Sequence, residues 1–105
     1  TMLAFRTENP SSCGIIELDH SKVVTSFIEK PPIPKGNLAN GAIYLLSKEF
    51  LDIFSKKYEK STDFSLDVIP DFIGRIYCYE TNETLLDIGT PEAYEKAQTL
   101  NINFE

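Results

Sequence analysis

One stretch near the end of the chain decides the expected fold: Leu85-Leu86-Asp87-Ile88-Gly89-Thr90-Pro91-Glu92-Ala93-Tyr94. Its apolar run predicts a buried strand over 84–88 that ends with the Asp87 carboxylate at the lip of a turn. Gly89 permits a sharp turn, Thr90 can cap the first amides of a helix, and Pro91 suits the first helical position. Because ligands gather at strand ends in open α/β sheets, Asp87 is a candidate metal ligand. Its carboxylate could also cap the amides of Gly89 and Thr90, and the two roles are compatible.

Length and composition limit the possible classes of protein. The chain has 105 residues, enough for one small domain or part of a larger one. A formal net charge of -6 without a basic stripe argues against nucleic-acid binding. No apolar run approaches the roughly 18 residues of a membrane span, and the first residues lack the order of a secretory signal. We therefore expect a cytoplasmic protein with neither nucleic acid nor membrane as a partner. Cys13 and Cys78 lie in separate apolar runs and are expected to be free, buried thiols.

The patterning along the chain predicts a mixed α/β arrangement. Strands are expected at 2–5, 13–18, 23–29, 38–46, 75–80 and 84–88, the second and third forming a hairpin. Ser47 is expected to cap a first main helix, and 91–100 a second. A shorter helix is expected within 65–74, loosened by Pro70 and ended by Gly74.

The helices are too few to cover such a sheet. The first strand begins without a cap or a turn, so we expect the chain to be the carboxyl-terminal portion of a longer protein. Two main helices cannot cover every face of an apolar sheet. The uncovered surface is expected to meet amino-terminal layers or a second copy of the chain, and self-association is predicted.

Four motifs in order carry a resemblance to a known family. They are Cys13-Gly14-Ile15-Ile16-Glu17-Leu18-Asp19, Val23-Val24-Thr25-Ser26-Phe27-Ile28-Glu29-Lys30-Pro31, Asn37-Leu38-Ala39-Asn40-Gly41-Ala42-Ile43-Tyr44 and Leu86-Asp87-Ile88-Gly89-Thr90-Pro91. In order and spacing the chain resembles the carboxyl-terminal half of a sugar-phosphate nucleotidyltransferase. The run 63–70 looks most like the mannose-1-phosphate or heptose-1-phosphate guanylyltransferase branch. The resemblance implies that residues 1–105 form the sugar-phosphate side of a Rossmann-like nucleotidyltransferase fold, with a mixed sheet, two main helices, one short helix and the amino-terminal half absent.

The implied reaction transfers a nucleotidyl group, guanylyl in that branch, from a nucleoside triphosphate to a sugar 1-phosphate. Pyrophosphate is released, and the product serves nucleotide-sugar biosynthesis. By resemblance, Lys30 holds the sugar's phosphate and Asp87 binds Mg²⁺, and these two are the candidate catalytic residues. The implied substrate-binding set is Gly14, Glu29, Lys30, Asn40 and Gly41. The family's glycine-rich nucleotide loop and second metal aspartate have no counterpart here, so the chain alone is expected to be inactive.

Other interpretations of the same residues stay open. Gly14 and Gly41 could merely relieve crowding in twisted strands, and Glu29 with Lys30 could be a solvated strand end. Where many family members carry an aromatic residue two positions before the metal aspartate, this chain has Leu85. His20 lies in a polar turn, which gives histidine catalysis or zinc binding little support. The alternative function is a non-catalytic assembly or regulatory module that retains the fold.

Overall fold

A computed structural model describes residues 1–83 and 85–100 and shows a mixed α/β architecture. The strands are β1 (Met2–Arg6), β2 (Gly14–Leu18), β3 (Val24–Glu29), β4 (Leu38–Tyr44) and β5 (Cys78–Glu80). The helices are α1 (Lys48–Lys57), α2 (Phe64–Asp67) and α3 (Pro91–Thr99), with 3₁₀ turns at Pro10–Ser12 and Ile69–Phe72. The predicted fold class is confirmed.

The five strands form one sheet in the order β3-β2-β4-β1-β5. Neighbours are antiparallel except β1 and β5, which run parallel. The predicted hairpin is present as β2 and β3, closed by a turn in which the Asp19 carboxylate accepts from the amides of Ser21 and Val23. Since the hairpin lies beside β4, its open end, formed by the start of β2 and the end of β3, lies level with Asn40 within β4.

Strand β4 contains a bulge. Met2 pairs with Tyr44 but Ala4 pairs with Asn40, so residues 41–43 of β4 lie opposite the single residue Leu3. Ala42 has a φ of 58°, in the left-handed region that non-glycine residues seldom adopt. The bulge therefore bends β4 sharply just after Asn40.

The core lies on one face of the sheet, beneath α2 and the 3₁₀ turn that follows it. Its main cluster is Met2, Ala4, Ile16, Val24, Leu38, Ile69 and Cys78. A second cluster of Tyr58, Val68 and Phe72 packs with three aromatic rings, Phe50, Phe54 and Phe64. The Tyr58 hydroxyl donates to Asp71 Oδ2 at 2.5 Å, which holds the end of α1 against the 3₁₀ turn. The helices thus fix the position of the carboxyl end of β4 from one side.

Several local predictions are confirmed. Ser47 Oγ accepts from the Phe50 amide at 3.0 Å at the start of α1. Gly74, with a φ of 88°, ends the predicted short helical segment. That segment is not one helix but α2 followed by a 3₁₀ turn, because Pro70 has no amide hydrogen with which to continue α-helical bonding. Cys13 and Cys78 are free as predicted, but only Cys78 is buried, and Cys13 is half-buried. Burial raises the pKa of the Cys78 thiol.

The expectations for 75–80 and 84–88 are largely wrong. Only Cys78–Glu80 is a strand, because the preceding residues bond elsewhere: the Ile76 carbonyl accepts from the Val24 amide, and Tyr77 bridges Val23. Residue 84 lies outside the described part of the chain, and 85–88 form no strand. The start of this segment instead packs on β4, where Leu85 Cδ2 lies against Gly41.

The other face of the sheet is largely uncovered. Its apolar residues Leu3, Ile43, Leu45, Tyr77 and Tyr79 surround a depression of about 440 Å³ and are called the open face below. The strand expected at 38–46 ends at Tyr44, and the apolar side chains near its end are exposed, Leu45 by 76% and Ile43 by 53%. Within residues 1–83 and 85–100, no helix combines the length and apolarity needed to cross a membrane. As predicted, the helices do not cover the whole sheet.

Candidate site at the carboxyl end of the hairpin and β4

Three of the predicted substrate-binding residues form a row across the sheet. Gly14 in β2 pairs with Glu29 in β3. Because Ile15 pairs with Ala39, Gly14 also lies level with Asn40 in β4. Cross-strand partners project to the same face, so the carboxylate and the amide flank a residue without a side chain. The sheet register brings together residues that are 26 positions apart in sequence.

Gly14 leaves room for the Glu29 carboxylate. A Cβ at position 14 would lie 2.8 Å from Glu29 Oε2 and 2.6 Å from Phe27 Cε2, both too close for ordinary contact. Relief of crowding, the simpler interpretation of this glycine, therefore applies, and its role in substrate binding stays a prediction. Glu29 is itself a candidate substrate-binding residue. Because Gly14 has no Cβ, the Glu29 carboxylate can occupy its observed position.

Lys30 follows at a sharp change of chain direction. Its φ of 47° lies in the left-handed region, which costs a non-glycine residue about 1–2 kcal/mol. The Lys30 amide donates to the Cys13 carbonyl at 2.9 Å, and this bond holds the turn against the start of the hairpin. The side chain is exposed while Pro31 is buried. Backbone strain held by such contacts is common at functional sites.

Asn40 is held in one orientation. Its Oδ1 accepts from the Ala42 amide at 2.9 Å, which stabilises the left-handed Ala42 within the bulge. Its Nδ2 donates to the Tyr44 hydroxyl at 2.8 Å, and that hydroxyl donates to Oδ1 at 3.1 Å. Since Oδ1 is engaged by a backbone donor, the amide cannot be flipped without losing a bond. Within residues 1–83 and 85–100, the second N–H of the Asn40 amide has no acceptor.

Gly41 joins the late segment of the chain to β4. A Cβ at position 41 would lie 2.9 Å from Leu85 Cδ2 and 3.0 Å from the Leu3 carbonyl oxygen. Leu85, in the position that many family members give to an aromatic residue, packs directly on this glycine. The contact brings the segment that carries Asp87 against the bulge beside Asn40.

Asp87 itself is exposed and is not at the end of a buried strand, contrary to the sequence-based prediction. Its Oδ1 accepts from the Gly89 amide at 2.8 Å, so the predicted capping role at Gly89 is confirmed. Thr90 Oγ1 accepts from the Ala93 amide at 3.1 Å, and Pro91 begins α3 as predicted. The turn therefore has the expected chemistry although the strand before it is missing.

The approach of Asp87 to the Glu29-Lys30 pair stays a prediction. No ion pair or hydrogen bond joins Asp87 to either residue in the structure. Across residues 1–83 and 85–100 no group of three or more histidine, cysteine or acidic side chains is arranged to hold a metal ion. His20 lies in an exposed turn, as predicted.

Tyr44 is a residue of this region that sequence reasoning did not single out. Burial raises the pKa of its hydroxyl above the ordinary value, the Asn40 hydrogen bond partly offsets the rise, and the nearby Glu29 charge adds to it. Glu29, Asn40 and Tyr44 thus share one electrostatic environment. In a regular strand, residues 40 and 44 would lie about 13 Å apart, so only the bulge makes their contact possible.

A cavity between the sheet and the helices does not coincide with these residues. A cavity of about 370 Å³ lies between the end of β4, α1 and α2. Its walls include Tyr44, Phe50, Phe64 and Phe72, but none of the predicted site residues. The candidate site is instead an open edge of the sheet.

The architecture gives the class of the protein, and the comparison with known proteins gives its family. The architecture defines an α/β protein with a candidate site at a strand-end edge. The family model described as "Nucleotidyl transferase" matches residues 1–103, so the chain belongs to the nucleotidyl transferase family. The predicted resemblance is confirmed at the level of the nucleotidyl transferase family.

Among relatives, glucose-1-phosphate adenylyltransferase of Lachnospira eligens is 36% identical over 95 residues, which cover 86% of this chain and 22% of the relative. The same enzyme of Thermotoga neapolitana is 35% identical over 98 residues, covering 86% and 23%. That of Clostridium acetobutylicum is 31% identical, covering 83% and 25%. The chain thus spans about a quarter of the length of the relatives it matches. The relatives are adenylyltransferases, so the expected guanylyl specificity finds no support among them.

Replacement of Gly14 tests the crowding around Glu29. We expect Gly14→Ala to lower the free energy of unfolding by about 1–3 kcal/mol, because Phe27 and Glu29 must both move to admit the new methyl group. The measurement is urea denaturation. Gly36→Ala is the matched control, since a Cβ there meets nothing within 4 Å. Equal stabilities of the two variants would contradict the assigned role of Gly14.

Proposed function

We propose that this chain supplies the sugar-phosphate side of an enzyme that transfers a nucleotidyl group from a nucleoside triphosphate to a sugar 1-phosphate, releasing pyrophosphate. Membership of the nucleotidyl transferase family and the names of the relatives support the reaction class. The observation that carries the proposal is the row of Glu29, Gly14 and Asn40 beside the strained turn at Lys30.

The residues of this edge suit a phosphorylated sugar. A sugar hydroxyl can donate to the Glu29 carboxylate and accept from the free N–H of Asn40. The exposed Lys30 ammonium can neutralise the phosphate without competing for the sugar. In such a transfer the protein chiefly brings two polyanions together with the attacking oxygen in line with the α-phosphorus. The proposed contribution of this chain is therefore positioning and charge neutralisation.

We propose Asp87 as the residue of this chain that would hold Mg²⁺. Its Oδ1 is engaged by the Gly89 amide, while no hydrogen bond to Oδ2 is found among the described residues. Mg²⁺ commonly binds through one or two carboxylates together with substrate phosphates and waters, so a single exposed carboxylate fits this use. When bound, the ion would neutralise charge on the phosphates.

The nucleotide and the sugar are proposed from the relatives. Their names favour ATP and glucose 1-phosphate as the first pair to test. The guanylyl expectation came from the run 63–70, which has a structural role: Asp63 caps α2 through the Leu66 amide, and Val68 and Ile69 are buried. That run provides no argument for a particular base. GTP and mannose 1-phosphate are the competing pair in the same assay.

The role of Lys30 is tested in the complete gene product that carries this chain. We expect Lys30→Gln to raise KM for the sugar 1-phosphate and to lower kcat/KM by about 10- to 150-fold, because a charge-assisted hydrogen bond to phosphate is lost. The KM for the nucleotide should change little. Lys35→Gln is the matched control, since Lys35 is exposed in the proline-rich connection nearby.

Two outcomes of that assay would contradict the proposals, one for Lys30 and one for the enzyme as a whole. Turnover that is unaffected by Lys30→Gln would remove the lysine from the site. Absence of turnover by the unaltered protein with either substrate pair would contradict the enzyme and favour the non-catalytic assembly or regulatory module.

Asp87→Asn separates metal binding from capping. The asparagine Oδ1 can still accept from the Gly89 amide, so the turn is kept while the charge is removed. We expect kcat to fall by at least about tenfold at saturating magnesium, with an unchanged melting temperature. Asp52→Asn, at an exposed position of α1, is the control. Near-normal turnover of the Asp87 variant would exclude the metal-ligand role.

Self-association of the 105-residue chain is also proposed, from the apolar character of the open face. In sedimentation velocity at micromolar concentration we expect a sedimentation coefficient that rises with concentration. Leu45→Lys should weaken the association, because it introduces a charge on the open face. Ile33→Lys is the control, since Ile33 is 86% exposed but lies outside that face. A strictly monomeric unaltered chain would contradict the proposal.

A further inference from the structure

Arg6, the last residue of β1, is bonded to the chain on both sides of its strand. Its Nη2 donates to Glu80 Oε1 at 3.1 Å and its Nε to Glu80 Oε2 at 3.4 Å, a two-point contact with the end of β5. Its Nη1 donates to Asn37 Oδ1 at 3.0 Å, directly before β4. These three residues are called the Arg6 cluster below. Because a guanidinium presents its N–H groups in a rigid fork, the three bonds hold the neighbouring segments in one relative position.

The Arg6 cluster lies on the same face of the sheet as the candidate site. Ala4 pairs with Asn40 in β4 and with Glu80 in β5. Paired residues of neighbouring strands project to the same face. The row of Glu29, Gly14 and Asn40 therefore continues across β1 and ends at Glu80.

The end of β5 is also the start of the segment that leads to Asp87. Strand β5 has only three residues and lies at the edge of the sheet, so few backbone bonds hold it. Directly after it, the Thr81 amide donates to the Ala4 carbonyl at 2.9 Å. A second attachment of the segment is the contact of Leu85 with Gly41. The Arg6 cluster strengthens the first of these two attachments.

We propose that Arg6 is a positioning residue for Asp87, acting through Glu80 and the end of β5. The inference rests on the proposed function, because it supposes that Asp87 holds Mg²⁺ there. It adds a residue that touches neither the ion nor a substrate. The Glu80 carboxylate neutralises the guanidinium, so Arg6 serves as a cross-link between strands and not as a second ligand for phosphate.

Solvent exposure sets the size of the expected effect. The side chains of Arg6 and Glu80 are 56% and 36% exposed. Single exposed ion pairs contribute little, whereas an arginine that bonds a carboxylate at two points and also a third acceptor contributes more. We therefore expect a moderate change in the properties of Asp87 and no loss of the fold.

The variant Arg6→Met removes all three bonds and keeps an apolar side chain of similar length. In the complete gene product we expect the Mg²⁺ concentration for half-maximal activity to rise by about two- to fivefold. The KM for the sugar 1-phosphate should change little. Lys57→Gln is the matched control, because it removes another exposed ion pair, the one with Asp71. A raised KM for the sugar 1-phosphate with an unchanged magnesium requirement would overturn the proposal.

A double-mutant cycle tests whether Arg6 acts through Glu80. We expect Glu80→Ala to raise the magnesium requirement as Arg6→Met does, and the double variant to be no worse than either single variant. Asn37→Ala keeps the contact of Arg6 with Glu80 and should leave the magnesium requirement unchanged. Additive effects of Arg6→Met and Glu80→Ala would overturn the proposal, as would a requirement that only Asn37→Ala alters.

Hydrogen exchange provides a measurement that is independent of activity. In the complete gene product, Arg6→Met should accelerate exchange at the Thr81 amide, whereas Lys57→Gln should not, because only the former loosens the end of β5. Unchanged exchange at Thr81 would overturn the positioning role even in an active enzyme. Accelerated exchange in a protein without turnover would refute the proposed function and the role toward Asp87, while establishing that Arg6 holds the end of β5.

Discussion

The site depends on the backbone pairing of β2 with two neighbours at once. Because β2 pairs with β3 on one side and β4 on the other, Gly14 lies level with both Glu29 and Asn40. A shift of one residue in either ladder would turn one of these side chains to the opposite face. In this register Glu29 lies so close to Gly14 that a side chain at position 14 would collide with it. Position and orientation of the site are thus consequences of sheet geometry.

A second constraint is the interruption of β4. Regular pairing to β1 would keep Tyr44 away from Asn40, whereas the bulge lets the hydroxyl and amide meet. The same irregular segment receives Leu85 on Gly41, so the chain that carries Asp87 docks where β4 departs from ideal geometry. Bulges often redirect side chains beside functional sites. This bulge brings the Tyr44–Asn40 contact and the docking of Leu85 on Gly41 into one region.

The two faces of the sheet have different environments. Helix α2 and the 3₁₀ turn cover the face that holds the main core cluster, and aromatic rings fix α1 against them. The open face keeps Leu45, Tyr77 and Tyr79 exposed. In a chain that spans about a quarter of its relatives' length, such a surface is suited to further protein contacts. By strand alternation, Gly14 and Asn40 lie on the same face as the core residues Ile16 and Leu38.

The sequence by itself determined the elements that depend on local chemistry. Ser47 and Thr90 cap helices through their own hydroxyls, Gly74 ends a helical segment, and Asp87 binds the Gly89 amide two residues away. These bonds join near neighbours, so residue type and spacing suffice to predict them. The motifs around Gly14, Glu29 and Asn40 were also sufficient to indicate the family that the comparisons confirm.

Only the tertiary structure decided which apolar runs become strands and which distant side chains meet. The run at 85–88 has strand-like composition, but it forms no strand and Leu85 packs on Gly41 of β4. Residues 75–80 divide their backbone bonds between two neighbours, so the strand is short. The contact of Tyr44 with Asn40 requires a bulge, and that of Leu85 with Gly41 requires a distant segment to dock. Strand pairing and such contacts depend on how distant segments are arranged in the whole fold, which no local pattern specifies.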